Sequence, residues 1–206
     1  MSNIMSIAFL FFVFVYMFGL AFAMDFLWLL KIIPIGLLAW AALNAGSSKV
    51  RSILLTALFF SACGDLLLAF DLFIYGVAAF LLAQLSYAII FKSYWQGIYN
   101  RWQLSLLLII YMLVMVWLLI PNLGDLQLPV MAYFLAIATM GLLAVQSSLP
   151  MRWAVMGAVL FIISDSFIAI NKFISPFPFE SYWIMSSYYA AQFMLVTGFI
   201  KSAKQQ

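Results

Sequence analysis

Polar residues are gathered into a few short segments of this chain, and long apolar stretches separate them. The stretches run for roughly 17 to 25 residues, the length of a helix that spans a bilayer. They lack the strict alternation of apolar and polar positions that a membrane β-strand needs. The polar segments between them include "NAGSSKVR", "NLGDLQLP", "SSLPMR" and "NKFISPFPFE". The pattern predicts eight transmembrane helices, at roughly 5–23, 27–45, 51–70, 73–95, 103–120, 127–147, 151–171 and 181–200.

The composition agrees with this pattern. Of the 206 residues, 68% are hydrophobic and 7% are charged, whereas about 25% of a soluble domain is charged. We therefore expect an all-α membrane protein, a bundle of eight transmembrane helices that forms a single domain over residues 1–206. Little chain remains for loops, so any site must lie between helices. The net charge of +3 gives no indication of nucleic acid, and we expect the lipid bilayer and no nucleic acid as partner.

The charged residues outside the spans divide between the two sides of the membrane. The side with both termini carries basic residues only, namely Lys49, Arg51, Lys92, Arg101, Arg152, Lys201 and Lys204. The opposite side carries Asp25, Asp71, Asp125 and Glu180, with Lys31 and Lys172 near helix ends. Because basic loops stay on the cytoplasmic side, we expect both termini in the cytoplasm. We expect the membrane to be the inner (cell) membrane of a bacterium.

Several catalytic chemistries are excluded by the residues that the sequence lacks. The chain has no histidine and a single cysteine, Cys63, which removes Ser-His-Asp and Cys-His catalysis and the usual zinc ligands. Neither a phosphate-binding loop nor a dinucleotide fingerprint is present. We therefore expect no metal and no cofactor. Any chemistry must use carboxylates, lysine, tyrosine, serine and amides.

Two aspartates lie within apolar spans, in similar surroundings. Asp65 stands in "FFSACGDLLLAF" and Asp165 in "LFIISDSFIAI". A carboxylate inside hydrocarbon is costly, and such residues are commonly functional. Spans three and seven run in the same direction, so helical rise places both acids roughly 20 Å from the cytoplasmic end. The shared depth makes them the leading candidates for catalysis.

The spans that follow carry matching polar pairs. Gln84 and Tyr87 lie in span four, and Tyr188 and Gln192 lie in span eight. Each pair is three or four residues apart and therefore shares a helix face, which should turn toward the bundle interior. This predicts a weak internal parallel repeat, relating spans 3–4 to spans 7–8. We expect the two aspartates, two glutamines and two tyrosines to line one cavity.

Three further polar residues could join that cavity. Lys31 begins span two at a similar depth, and Ser61 and Ser164 lie close to the acids in spans three and seven. Each also has a structural interpretation. Lys31 could extend its ammonium to the interface, and the serines could bond their own backbone. The glutamines could equally be interhelical hydrogen-bond partners.

Five segments carry a resemblance to a known family, and they are "KIIPIGLLAW", "SACGDLLLAF", "YGVAAFLLAQLSYAIIF", "GAVLFIISDSFIAINKF" and "YYAAQFML". On these segments, which follow the family's order over roughly residues 27 to 200, the chain resembles the YhhN-type lysoplasmalogenases, small eight-helix membrane hydrolases. Two departures from the family pattern stand out. Lys31 and Pro34 are separated where the family often has Lys followed directly by Pro, and Gln84 stands where many relatives carry histidine.

The resemblance implies a hydrolase that acts on the vinyl ether bond of a lysophospholipid. The substrate would be lysoplasmenyl-phosphoethanolamine or lysoplasmenyl-phosphocholine, and the products a fatty aldehyde and a glycerophospho-base. Two carboxyls suit this acid-dependent chemistry, as they do in glycoside hydrolysis. Asp65 and Asp165 would then be the acid and the base, in either order. The expected substrate-binding residues are Lys31, Gln84, Tyr87, Tyr188, Gln192, Ser61 and Ser164.

Two other functions remain open at this stage. Paired acids in a parallel repeat also suit a proton- or solute-conducting transporter, although the spans lack the Gly/Pro-broken helices that transporters often use. A lipid-binding protein without catalysis is the third possibility, and it would tolerate amide replacement of both acids. The sequence leaves the headgroup preference and the oligomeric state open.

Overall fold

The described part of the chain folds into eight α-helices without a β-strand. The structure, a computed structural model, describes residues 2–22, 24–43, 48–99 and 101–203. Two short 3₁₀ turns, Ile120–Asn122 and Gly124–Leu126, join α5 to α6. The expectation of an all-α fold with eight helices is confirmed. The helices are α1 (Asn3–Ala21), α2 (Leu27–Ala42), α3 (Ser48–Ala69), α4 (Phe73–Ser93), α5 (Trp102–Leu119), α6 (Gln127–Val145), α7 (Ala154–Phe173) and α8 (Glu180–Ala203).

Six of these helices, α1 and α3 to α7, are long and apolar enough to cross a membrane, so the chain is a multi-pass membrane protein. The other two depart from that standard in different ways. Helix α2 has 16 residues and contains Pro34, and it is shorter than the roughly 20 residues that a span requires. Helix α8 has 24 residues, but buried polar side chains such as Gln192 and Thr197 make it less apolar. Eight membrane crossings therefore stay a prediction.

The helices contact one another in a closed cycle. In order around the cycle they are α2, α3, α4, α6, α7 and α8, and α8 contacts α2 again. Helix α1 packs outside the cycle against α2 and α8, and α5 packs outside it against α6 and α7. Side chains that point into the cycle are buried whatever their polarity, which creates an interior shielded from lipid.

The contacts in the first half of the cycle correspond to those in the second half. The α3–α4 and α7–α8 contacts are the two most extensive in the molecule. The α2–α3 contact corresponds to α6–α7, and α4–α6 corresponds to α8–α2. A parallel repeat would produce this pattern, and it would include α2 and α6 as well as the helices in which we expected it. The repeat itself remains a prediction.

Glycines permit close helix approaches in the α3–α4 and α7–α8 hairpins. A Cβ atom on Gly64 in α3 would lie 2.6 Å from ring carbons of Phe80 in α4. A Cβ atom on Gly157 in α7 would lie 2.9 Å from a methyl group of Leu195 in α8. Small residues at such contacts let helix backbones approach closely in a membrane. The close packing brings the polar faces of α3, α4, α7 and α8 within hydrogen-bonding reach.

Alternating helix directions separate the charged residues between the two ends of the bundle. The end with the start of α3 and the end of α8 carries Lys49 and Lys201, and the opposite end carries Asp71 and Glu180. Lys204, which we counted with the basic end, lies outside the described residues. We call the acid-bearing end the outer end. Its placement on the outer side of the membrane stays a prediction.

Candidate active site

Asp65 lies in the interior of the helix cycle and is 2% exposed. Its Oδ1 atom lies 3.4 Å from Nζ of Lys31, which comes from α2. The same ammonium is 3.5 Å from the backbone carbonyl oxygen of Asp65. Tyr188 of α8 donates its phenolic hydrogen to Oδ2 at 2.7 Å. The carboxylate thus has a cationic partner and a hydrogen-bond donor, which together offset the cost of burying a charge.

Lys31 is itself held in place by the neighbouring helix. Tyr189 of α8 donates a hydrogen bond of 2.8 Å to the backbone carbonyl of Lys31. Tyr188 and Tyr189, adjacent in sequence, therefore contact the acid and the backbone of its counter-ion. The short helix α2 is in this way fixed against α8 at the level of the ion pair.

Asp165 is partly exposed and has a different kind of partner. Tyr133 of α6 donates a hydrogen bond to its Oδ2 atom, and Nε2 of Gln84 in α4 donates to the Tyr133 hydroxyl at 3.3 Å. Among the described residues, no lysine or arginine forms an ion pair with Asp165. One aspartate therefore faces a cation, and the other faces a neutral phenol.

A third hydrogen-bonded group lies deeper in the bundle. Tyr87 donates to Oε1 of Gln192 at 2.5 Å, and Nε2 of Gln192 donates to the Ser61 hydroxyl at 3.0 Å. All three side chains are fully buried. They link α3, α4 and α8 directly below the acids, since Ser61 precedes Asp65 by one helical turn.

Ser164 joins α7 to α8. Its hydroxyl donates to the backbone carbonyl of Ile184 at 2.9 Å, and it therefore bonds a neighbouring helix and not its own backbone. The side chain is fully buried. This contact fixes the helix that carries Asp165 one residue away from the acid.

Two cavities lie between the acids and the outer end of the bundle. The first, which we call the inner pocket, has a volume of about 40 Å³ and is lined by Asp165 and Tyr133 among apolar side chains that include Phe80 and Ala169. Such a pocket has room for a water molecule. The second, which we call the outer cavity, has a volume of about 270 Å³ and includes Lys31 in its wall.

The two cavities share part of their walls. Leu68, Phe73 and Ile168 line both of them, so a thin apolar layer separates the outer cavity from Asp165. Leu68 follows Asp65 by three residues, and Ile168 follows Asp165 by the same spacing. The two acids thus stand one turn below equivalent side chains of this layer.

The residues singled out from the sequence form three hydrogen-bonded groups and do not all line one cavity. Lys31 and Tyr188 surround Asp65, and Gln84 reaches Asp165 indirectly. Tyr133, which sequence reasoning missed, makes that link. Tyr133 lies in span six at a depth similar to that of Asp165, but depth alone does not distinguish it from the other tyrosines near a membrane interface.

These features define a class, a polytopic membrane protein that holds two acids with different partners inside a cycle of helices. The chain belongs to the YhhN family, which matches residues 26–199. The match covers α2 through most of α8. The resemblance expected from the sequence segments is therefore confirmed.

Several curated relatives share the name lysoplasmalogenase. The chain is 34% identical over 175 residues to the lysoplasmalogenase of Mycobacterium tuberculosis (strain CDC 1551 / Oshkosh), covering 79% of this chain and 66% of that protein. It is 35% identical over 155 residues to lysoplasmalogenase TMEM86B of Sus scrofa, covering 72% and 63%. For lysoplasmalogenase TMEM86B of Homo sapiens the identity is 32% over 184 residues, covering 84% and 75%. The chain thus spans slightly less than two thirds of the first two relatives. No solved structure matches it.

Proposed function

We propose that this protein is a membrane-embedded lysoplasmalogenase that hydrolyses the vinyl ether bond of a lysoplasmenyl phospholipid. The products are a fatty aldehyde and glycerophosphoethanolamine or glycerophosphocholine. The names of the relatives support the activity. The observation that carries the mechanism is the unequal pairing of the acids, with Asp65 facing the ammonium of Lys31 and Asp165 facing the phenol of Tyr133.

The reaction begins with a proton transfer. A vinyl ether resists base, but it accepts a proton on the alkene carbon farther from the oxygen. The π electrons form the new C–H bond, and the carbon next to oxygen becomes an oxocarbenium ion. A positioned carboxylic acid accelerates such a transfer by about 10²–10⁴-fold. We assign Asp165 as the donor because it lines the inner pocket among apolar side chains and forms no ion pair with any of the described residues.

Water completes the hydrolysis. Its oxygen adds to the oxocarbenium carbon and loses a proton to a carboxylate, which yields a hemiacetal. The bond from that carbon to the glycerol oxygen then breaks as the glycerol oxygen takes up a proton and the hemiacetal hydroxyl gives one up. One water molecule is consumed, and an aldehyde and an alcohol are released.

Asp65 is the anionic partner in this mechanism. Its carboxylate keeps a counter-ion in Lys31, and Leu68, one helical turn after Asp65, lines the inner pocket together with Asp165. A fixed anion near a developing cation stabilises the transition state most strongly where water is excluded. The two carboxyls divide the roles of acid and stabiliser, as in glycoside hydrolysis.

The other polar residues position these two groups. Tyr133 and Gln84 orient Asp165, and Lys31 and Tyr188 orient Asp65. Ser61, Tyr87, Gln192 and Ser164 fasten the helices that carry the acids. In this proposal the side chains expected to bind substrate contribute chiefly by positioning Asp65 and Asp165. The glycerol oxygens of the lipid approach from the outer cavity.

A transporter that uses the same aspartates is less well supported. Below the third hydrogen-bonded group, the interior is filled by fully or almost fully buried apolar side chains that include Leu54, Phe91 and Phe199. The rings of Phe91 and Phe199 lie 5.0 Å apart between centroids. This layer interrupts a polar path toward the basic end of the bundle. A conduit would need the layer to open.

Product analysis by mass spectrometry tests the proposal. Purified protein in detergent is supplied with alkenyl-, alkyl- and acyl-linked lysophospholipids that share chain length and headgroup. We expect aldehyde from the alkenyl lipid alone, with turnover at least about 100-fold lower in Asp165→Asn and in Asp65→Asn. Asp125→Asn, an exposed acid at the outer end, serves as the matched control and should retain turnover.

Other products would change the conclusion. Fatty acid from the acyl lipid would mean a hydrolase of a different bond. Undiminished turnover in either interior aspartate variant would overturn the assignment of the acids. If none of the three lipids reacts but an ion gradient drives solute uptake into proteoliposomes, the function would be transport and not hydrolysis.

A further inference from the structure

The outer cavity combines charges of both signs, although the interior it leads to is mostly apolar. Its volume is about 270 Å³. Asp71 and Lys172 are exposed at its mouth, and Lys31 lies farther inside. Asn171 and Ser181 add uncharged polar groups to the wall. A cavity of this kind suits a ligand that carries both a positive and a negative group.

Lys172 is the cation in this wall that remains free for a ligand. Lys31 is already paired with Asp65 at 3.4 Å, whereas Lys172 forms no salt bridge among the described residues. Its Nζ atom lies 5.2 Å from the centroid of the Phe73 ring. This cation–π contact holds the ammonium beside the cavity. A compact ammonium of this type binds phosphate as a point charge.

Asn171 and Asp71 supply acceptors in the same wall. The Oδ1 atom of Asn171 is buried and has no hydrogen-bond partner among the described residues. A buried acceptor without a donor is costly, and a rotation of the amide toward the cavity would let a ligand N–H group remove that cost. Asp71 adds a carboxylate that makes no ion pair within the described parts of the chain. Together they suit a cation that donates hydrogen bonds.

We propose that the outer cavity is a headgroup subsite that selects phosphoethanolamine, with Lys172 at the phosphate and Asp71 and Asn171 at the ammonium. The inference rests on the proposed function, and it names the substrate class that the catalytic residues leave open. The three-carbon glycerol unit would cross the apolar layer of Leu68 and Ile168. The vinyl ether would then meet Asp165 in the inner pocket.

Choline fits this wall less well than ethanolamine. A trimethylammonium group has no N–H with which to satisfy Asn171 or Asp71. Quaternary ammonium groups are bound instead by open aromatic faces. The wall contains two aromatic side chains, Phe73 and Tyr16. The face of Phe73 is already occupied by Lys172, and Tyr16 is only 5% exposed. The selection therefore arises from hydrogen bonding and not from charge, because both headgroups are zwitterions.

Equilibrium binding of unreactive analogues tests the subsite separately from catalysis. Labelled 1-O-alkyl lysophosphoethanolamine and 1-O-alkyl lysophosphocholine contain no vinyl ether and cannot be turned over by the proposed reaction. We expect the wild-type protein to bind the ethanolamine lipid about fivefold or more tightly than the choline lipid, about one hydrogen bond's worth of affinity. Asp71→Asn should reduce this ratio to about two or less. Lys172→Gln should weaken both lipids about tenfold, as expected when a charged contact is lost.

Matched variants and competitors make the outcomes decisive. Asp125→Asn and Lys49→Gln, exposed residues outside the cavity, should leave both affinities unchanged. Equal wild-type affinity for the two lipids would overturn the proposal, as would competition by inorganic phosphate that matches competition by glycerophosphoethanolamine. Asn171→Leu should also abolish the preference for the ethanolamine lipid. If that variant fails to fold, Asp71→Asn still tests the proposal, because Asp71 is exposed.

The binding assay also separates this inference from the proposed function. Preferential binding of the ethanolamine lipid without aldehyde release from its alkenyl counterpart would refute the hydrolase and support the subsite. Aldehyde release at equal rates from both headgroups, together with equal binding of the alkyl lipids, would support the hydrolase and refute the subsite.

Discussion

The phenol of Tyr133 in α6 donates a hydrogen bond to Asp165 in α7. These two helices follow one another in the chain, but the hydrogen bond that orients the phenol comes from Gln84 in α4, two helices earlier. The partner that α2 supplies to Asp65 is the ammonium of Lys31. The two aspartates thus have chemically different partners, and this difference makes a division of catalytic roles possible.

Tyr133→Phe is expected to lower kcat while the fold remains intact. The change removes the hydrogen bond to Asp165 and leaves the ring in place. A hydrogen bond to a charged or charging group contributes about 1.5–3 kcal/mol, which corresponds to roughly a 10- to 100-fold change in rate if it acts in the transition state. Steady-state aldehyde release at several substrate concentrations measures the effect, and KM should change little.

Tyr111→Phe provides the matched control. Tyr111 also donates through its phenol to a side chain of α7, the hydroxyl of Ser166, at 2.8 Å. Ser166 is the residue after Asp165, so both variants remove a phenolic hydrogen bond to the same turn of α7. Equal losses of kcat in the two variants would contradict a specific role for Tyr133.

Lys31→Met is expected to destabilise the protein through Asp65. The Lys31 side chain is 14% exposed and that of Asp65 is 2% exposed, so the variant leaves a buried carboxylate without its counter-ion. Breaking a buried ion pair in this way costs about 3–5 kcal/mol. Thermal or denaturant unfolding in detergent measures the loss.

The double variant identifies the cause. Lys31→Met combined with Asp65→Asn removes both charges, and it should be more stable than Lys31→Met alone. A coupling energy near zero in this double-mutant cycle would show that the 3.4 Å contact does not stabilise the fold.

The helices were predictable because the bilayer fixes their length. The predicted spans and the observed helices begin and end within a few residues of one another, for example 73–95 against Phe73–Ser93. Hydrophobicity alone was less informative for α2 and α8. Helix α2 ends early at Ala42, and α8 extends to Ala203 with polar side chains buried against other helices. Length and apolarity identify helices that face lipid, whereas much of the surface of α8 contacts other helices.

The acids were predictable, but their partners were not. Asp65 and Asp165 stand out because a carboxylate in an apolar span needs an explanation. Tyr133 does not stand out, since tyrosine is common near membrane interfaces. Its role depends on the contact between α4 and α6, which are not consecutive, so neither spacing nor periodicity reveals it. The sequence allowed Lys31 to bind substrate or to extend to the interface, and its position relative to Asp65 becomes known only from the structure.

Ala169→Leu is expected to block the reaction by filling the inner pocket. Ala169 lines this pocket of about 40 Å³ beside Asp165, and it is 6% exposed. The added carbons would occupy the space that water or the alkenyl carbon needs. Overpacking costs about 1–3 kcal/mol of stability, so activity should fall by far more than unfolding stability. Aldehyde release and thermal unfolding are measured on the same preparation.

Ala138→Leu is the control for this substitution. Ala138 lines a groove of about 280 Å³ between α5 and α6 that contains neither acid, so the same added volume should leave turnover within about twofold of the wild-type value. If Ala169→Leu kept full activity while remaining folded, the inner pocket would not be the reaction site.

Labelling of single cysteines should place the acid-bearing end of the bundle outside the cytoplasm. In a Cys63→Ser background, Asp125→Cys should react with a membrane-impermeant maleimide in intact cells. Lys49→Cys, on an exposed residue at the basic end, should react only after permeabilisation, because basic segments stay on the cytoplasmic side. The outer cavity would then receive lipid from the outer leaflet. The reverse labelling pattern would put Asp71, Lys172 and the cavity mouth at the inner leaflet, so the same chemistry would draw on lysolipids made inside the cell.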